Sequence, residues 1–164
     1  MKKNLINGLL LILVVLLAQC KKGDEFEQIK ISKLITAEAM RAMPVGLTRA
    51  EKPQKTGKIY IYNDYLFINE PDKGIHIYNN ANPANPINMA FLKIPGNVDM
   101  AIQNNILYAD NYVDLLAFDL SNMSSIKQVK RVNDVFKQFY FGTGTQKYVM
   151  IYKDTLVKKN VNQN

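Results

Sequence analysis

The chain of 164 residues has one cysteine, one histidine and no tryptophan. A single Cys excludes an internal disulfide framework, and zinc sites, which draw on several Cys or His ligands, have no set to use. With His76 the only histidine, Ser/His/Asp and Cys/His catalytic constellations have no competing partners. Eight glycines and six prolines are too few for collagen-like or low-complexity chains. Phosphate loops of the Gly-x-x-x-x-Gly-Lys-Ser/Thr type are missing; Gly142-Thr143-Gly144 reads only as a turn. The longest apolar run, Leu9–Ala18, has ten residues, short of the ~20 a bilayer-spanning helix needs.

Charge of one sign is in modest excess but not concentrated. The net charge is +7, and Lys2 and Lys3 contribute two of the 21 basic residues. Beyond them the excess is scattered, with small groups at Lys21–Lys22, Lys127–Lys130–Arg131 and Lys158–Lys159. Nucleic-acid binding needs a concentrated basic surface with stacking aromatics, so no nucleic-acid partner is expected. Hydrophobic residues at 48% and charged residues at 21% fit one folded domain.

The N-terminus accounts for the lone cysteine. Lys2–Lys3, the apolar run and Leu17-Ala18-Gln19-Cys20 follow one another as in a secretory signal. This arrangement resembles the lipobox of bacterial lipoproteins, although Gln19 stands where that family usually has Gly, Ala or Ser. The resemblance implies lipidation of Cys20 and anchoring of the chain to the bacterial outer membrane. Lys21-Lys22-Gly23-Asp24-Glu25 resembles the surface-export tag of some Gram-negative lipoproteins; a plain tether reads the same way, and the membrane face stays open.

From Phe26 to Thr56 the pattern is irregular. Helix formers over Ser32–Met43 predict a short helix capped by Ser32 and ended by Pro44 and Gly46. Beyond Lys58 the texture is short β-type runs between turn clusters: Ile59–Tyr62, Tyr65–Ile68 and Ile75–Tyr78, then Val98–Ile102, Ile106–Ala109 and Leu115–Phe118. Asn63-Asp64, Asn104-Asn105 and Asp110–Val113 read as turns. Asn63–Asn69 aligns with Asn104–Asp110 at an offset of 41, and Ile77–Asn79 with Ala117–Asp119 at 40. Met89–Ile94 and Ser124–Val132 close the two units. A period near 40 with about four short strands is a β-propeller signature, because one four-stranded blade cannot cover its own two faces.

The expectation is therefore an all-β fold with two propeller-like blades, an incomplete propeller, behind an irregular or partly helical lead-in. The segments are 1–19 (signal), 20–57 (lipidated Cys, tether and lead-in), 58–97 and 98–138 (blades), and 139–164 (C-terminal strands and tail). In the tail, Tyr148–Tyr152 predicts a strand, Lys153–Val157 a hairpin ending, and Lys158–Asn164 a frayed end. Gly57–Tyr60, Leu66–Glu70, Gly74–Asn79, Asn82-Pro83, Ile94–Asp99, Leu107–Asp110 and Asp114–Asp119 together are similar to the LVIVD-repeat lipoproteins, over roughly half the chain. That resemblance implies a propeller-like fold in usually longer chains, mostly without assigned activity.

Candidate chemistry is sparse. His76 alternates with Ile75 and Ile77 and reads as structural or exposed. Asp110, Asn111 and Asp114, with Asp99 nearby, form the only oxygen-rich group; it lacks calcium-loop spacing and reads as turn residues satisfying their own backbone. Asp99, Asp110 and Asp114 are the least unfavourable carboxylates for glycan chemistry, and Tyr112 is the best-placed aromatic for ligand contact. No metal or cofactor is expected, and no enzymatic activity. The expected function is a membrane-anchored binding module for a protein or a polysaccharide. The alternatives are a truncated repeat protein with little autonomous function, self-associating through open blade edges, and a glycan-active enzyme.

Overall fold

The computed structural model describes residues 26–141 and 148–158. Cys20, the adjoining Lys21–Glu25, the turn at Gly142–Gly144 and the tail from Lys159 lie outside the described residues. Ser32–Tyr152 forms one compact unit, and the described outer ends of the first and last strands belong to a second. The elements run β1 (Phe26–Thr36), α1 (Ala37–Arg41), β2 (Gly46–Arg49), β3 (Ile59–Tyr62), β4 (Tyr65–Glu70), β5 (Gly74–Asn79) and β6 (Ile87–Lys93). Then come β7 (Met100–Gln103), β8 (Ile106–Asn111), β9 (Asp114–Asp119), β10 (Lys127–Val132), a 3-10 turn (Lys137–Phe139), β11 (Tyr140–Phe141) and β12 (Tyr148–Lys158).

The fold is all-β, with two propeller-like antiparallel blades in an open, unclosed arrangement. The first sheet has the order β2-β6-β5-β4-β3 and the second β10-β9-β8-β7. The repeat in sequence is a repeat in hydrogen bonding. Asn80 N–H donates to Asp64 O at 2.7 Å, and Leu120 N–H to Asn105 O at 2.8 Å. Asn79 Oδ1 accepts from Ala81 N at 2.9 Å and Asp119 Oδ1 from Ser121 N at 2.8 Å. Asn82 and Asn122 organise the following turn identically, through Ala84 and Ser124. Both blades also break register at one place: Met89 is passed over between Asn88 and Ala90, and Val129 between Gln128 and Lys130. A bulge at the same repeat position bends β6 and β10 alike.

Period-2 alternation sends one face of each sheet inward. Phe67, Ile75, Ile77 and Leu92 of the first blade meet Ile102, Leu107, Leu116 and Phe118 of the second in one core. Phe67 and Phe118 are fully buried, each stabilising by about 1.5–3 kcal/mol. At the rim Tyr60 Oη donates to Ile102 O (3.3 Å) and Tyr62 Oη to Asn105 Oδ1 (3.0 Å).

Four expectations need correction. The helix over Ser32–Met43 is only Ala37–Arg41, and its cap is Thr36, whose Oγ1 accepts from Ala39 N at 3.2 Å. The β-branched run Ile29, Ile31, Ile35 and Thr36 carries β1 up to that cap. The turn expected at Asp110–Val113 is Tyr112-Val113, since Asp110 and Asn111 still pair with Leu115 and Asp114. The strand expected over Val98–Ile102 is Met100–Gln103, because Val98 and Asp99 donate their N–H groups to the Asp110 side chain instead. Lys153–Val157 makes no hairpin; β12 runs unbroken through it.

Candidate functional site

The four aspartate and tyrosine candidates separate into three places. Asp114 opens β9 opposite Asn111 and is fully buried. Its Oδ1 accepts from Arg41 Nη2 at 2.8 Å and Asp134 N at 3.0 Å; its Oδ2 accepts from Arg41 Nε at 2.9 Å and Arg131 Nη1 at 2.7 Å. Asn111 Oδ1 takes a further bond from Arg131 (2.8 Å), while Asn111 Nδ2 donates to Pro95 O (2.6 Å). Arg41 also reaches Asp134 Oδ1 at 2.6 Å, to which Tyr140 donates its hydroxyl. Burial works to raise the Asp114 carboxyl, but the donors from Arg41, Asp134 and Arg131 hold it below the usual carboxylate range. Four donors on two oxygens leave this carboxylate no direction for a substrate proton. Its chemistry is to tie α1 to the second blade and, through Arg131, β10 to the start of β9 within it. The expectation that Asp114 satisfies its own turn backbone is corrected: it is the centre of a salt-bridge cluster.

Tyr112 sits beyond that cluster at φ 57°, half-buried, with its ring against Gly96. A Cβ on Gly96, itself at φ 70°, would stand 2.5 Å from that ring, so only glycine allows the contact. The ring packs on Met40, Val113 and Val149, and burial pushes its hydroxyl up to about 12.

Asp99 and Asp110 do share a cleft. Asp110 Oδ1 accepts from Asn97 Nδ2 (2.8 Å), Val98 N (2.9 Å) and Asp99 N (2.8 Å), which folds the segment entering β7. Asp99 pairs with Lys58 Nζ at 2.6 Å. Burial pushes the Asp110 carboxyl up, against the pull of the N–H donors, whereas the Lys58 ammonium pulls Asp99 down. Opposed shifts are what an acid–base pair needs. Here, however, the shared oxygen of Asp110 is occupied by three protein donors. The cleft, lined by Asp99, Ala101, Tyr108, Asp110, Leu115 and Phe136, measures about 180 Å³. Ordinary small-molecule pockets run to about 300–1,000 Å³.

Sequence reasoning missed a second polar junction, in the first blade. His76 is buried, packs at a tilt against Phe91 with centroids 4.6 Å apart, and shares a 2.7 Å hydrogen bond between its Nε2 and Glu70 Oε2. Lys73 Nζ bonds Glu70 Oε1 at 2.6 Å, and Gln54 N–H also donates to Glu70. Burial works to raise the Glu70 carboxyl; Lys73, His76 and Gln54 overcome it and hold it low. Glu70 is the repeat mate of Asn111, so each blade carries a polar knot where its two middle strands turn. That equivalence was the available signal. Asn97 links the blades, accepting from Asn69 Nδ2 at 2.5 Å and donating to Asp110.

Among the described residues no group of three His, Cys, Asp or Glu side chains could hold a metal ion. Nor is any described helix long and apolar enough to cross a membrane. These features define a class, the two-bladed propeller-like repeat. No protein-family model, no curated protein and no solved structure matches the chain.

Proposed function

We propose that this is a lipid-anchored protein of the bacterial outer membrane whose blades form a non-catalytic module for binding another protein. The anchor rests on Lys2–Lys3, the Leu9–Ala18 run and Cys20. The observation that carries the module reading is that both blades leave an apolar outer face open. Ile59 and Ile61 are 62% and 63% exposed on the first, and Tyr108 is 37% exposed on the second beside Ala101 and Leu115. Flat aliphatic faces suit protein contact. A polysaccharide platform would present several aromatic rings, and Tyr108 is the lone exposed aromatic of its cleft's lining.

Two measurements test the reading. Labelling cells with a fatty-acid analogue marks the chain, and Cys20→Ser abolishes the mark; persistent labelling sinks the anchor. A photo-crosslinking residue in place of Tyr108 in the full chain yields a protein adduct in its own cells. Absence of any adduct at Tyr108, with adducts absent also from Ile61, overturns the module reading.

A further inference from the structure

The open faces are not arbitrary surfaces. The internal repeat makes each the counterpart of a face already buried between the blades. Ala101, Tyr108, Leu115 and Ala117, on the outer side of the second blade, occupy the repeat positions of Tyr60, Phe67, Ile75 and Ile77. Those four, together with Leu92 and Ile94, are the side chains with which the first blade covers the second. Conversely, Ile59, Ile61, Leu66 and Ile68, on the outer side of the first blade, occupy the positions of Met100, Ile102, Leu107 and Ala109. These, with Leu116 and Phe118, whose repeat mates are His76 and Tyr78, are the side chains with which the second blade receives the first.

We infer that the two outer faces bind each other between copies of this chain, head to tail, continuing the blade-on-blade stacking seen within it. This rests on the reading that the open faces bind protein, and names the protein.

Charge and size agree with it. Within the chain, Lys58 and Asp99 pair across the blade interface at 2.6 Å, and the two are themselves repeat mates, 41 residues apart. At the junction between copies Asp99 takes the place of Lys58, and Lys58 of the next copy takes the place of Asp99. Opposite charges meet again, in reversed order. Size is redistributed in the same way. Ala101 and Ala117 are smaller than Tyr60 and Ile77, and the cleft of about 180 Å³ opens beside Ala101 and Tyr108. The opposing face is bulkier where this one is shallow, with Ile68 at the position of Ala109 and Ile59 and Ile61 protruding. The two faces differ, so the contact is heterologous and either closes a ring or propagates. Propellers close with about four to eight blades, which corresponds to about two to four copies.

The experiment uses the full chain carrying Cys20→Ser, so that introduced thiols are the only ones. Asp64 and Gln103 are exposed, and they are the repeat mates of Asn105 and Tyr62, which bond each other within the chain. Chains with Asp64→Cys are mixed with chains with Gln103→Cys and treated with a short bifunctional maleimide, alongside sedimentation over a concentration series. The expected result is a covalent dimer from the mixture, none from either variant alone, and a particle mass about two to four times that of the chain. A dimer from one variant alone means like faces meet and overturns the head-to-tail geometry. A monomer at every concentration with no mixed cross-link overturns self-assembly. If Tyr108 nevertheless captures a different protein, the module reading survives and only the identity of the partner is wrong.

Discussion

At the scale of single residues, Asp114 bears the greatest electrostatic demand. It is fully buried between two guanidinium groups that are themselves only about a fifth to a quarter exposed. Removing one partner of such a cluster leaves the others uncompensated, and Asp114→Asn is expected to cost about 3–5 kcal/mol in urea unfolding. Its folded-state carboxyl lies below the ordinary range, so its contribution is present above the unfolded value near pH ~3.9 and is lost as pH falls through the folded value. Glu70 acts in the same direction. The unfolding midpoint is therefore expected to hold from pH ~7 to ~5 and to drop below pH ~4, with the drop reduced but not abolished in Asp114→Asn. An unchanged acid limb in that variant would show that Asp114 has no titration-linked role. The local sequence marks Asp114 as part of an oxygen-rich turn, but nothing in it announces a buried salt-bridge centre. Arg41 lies 73 positions away from it, and no periodicity relates a lead-in arginine to the first residue of a second-blade strand.

At the scale of elements, what was legible was what is encoded locally. The hairpins were, because Asn63, Asn104 and Asn105 adopt φ of 51°, 51° and 60°, a backbone that asparagine tolerates and β-branched residues do not. Asn104→Ala is expected to cost about 1–2 kcal/mol, the penalty of placing a Cβ without a compensating side chain in the left-handed region. Asn104→Gly, which removes that Cβ, is expected to leave the midpoint unchanged or slightly higher. Equal losses in both variants would show that the Asn104 side chain matters for another reason. The paired bulges at Met89 and Val129 could not be read, since a bulge is a property of two strands in register and not of either alone. The start of the helix is not legible for a related reason. Ser32 and Thr36 can both cap a helix, and the choice between them is made by β1 continuing to Thr36. Tyr112 does lie in a turn, but the close approach of its ring to Gly96 is a tertiary fact.

At the scale of the whole molecule, the period near 40 predicts two blades but does not say whether they fold independently. The core answers this for Ser32–Tyr152. Leu107 is fully buried on β8 in a cluster that includes Phe67, Ile75 and Ile77 of the first blade. A blade deprived of that contact exposes its inner aliphatic face, so neither is expected to persist without the other. Leu107→Ala removes a side chain from the shared boundary and is expected to cost about 2–5 kcal/mol. The informative readout is where the loss appears. If the blades form one cooperative unit, amide exchange in β4 and β8 accelerates to the same degree and denaturation stays a single transition. If they are separate, only β7–β10 loses protection and the transition splits. The first outcome also bears on assembly: a boundary strong enough to couple two blades within the chain is the contact that the outer faces would reproduce between copies.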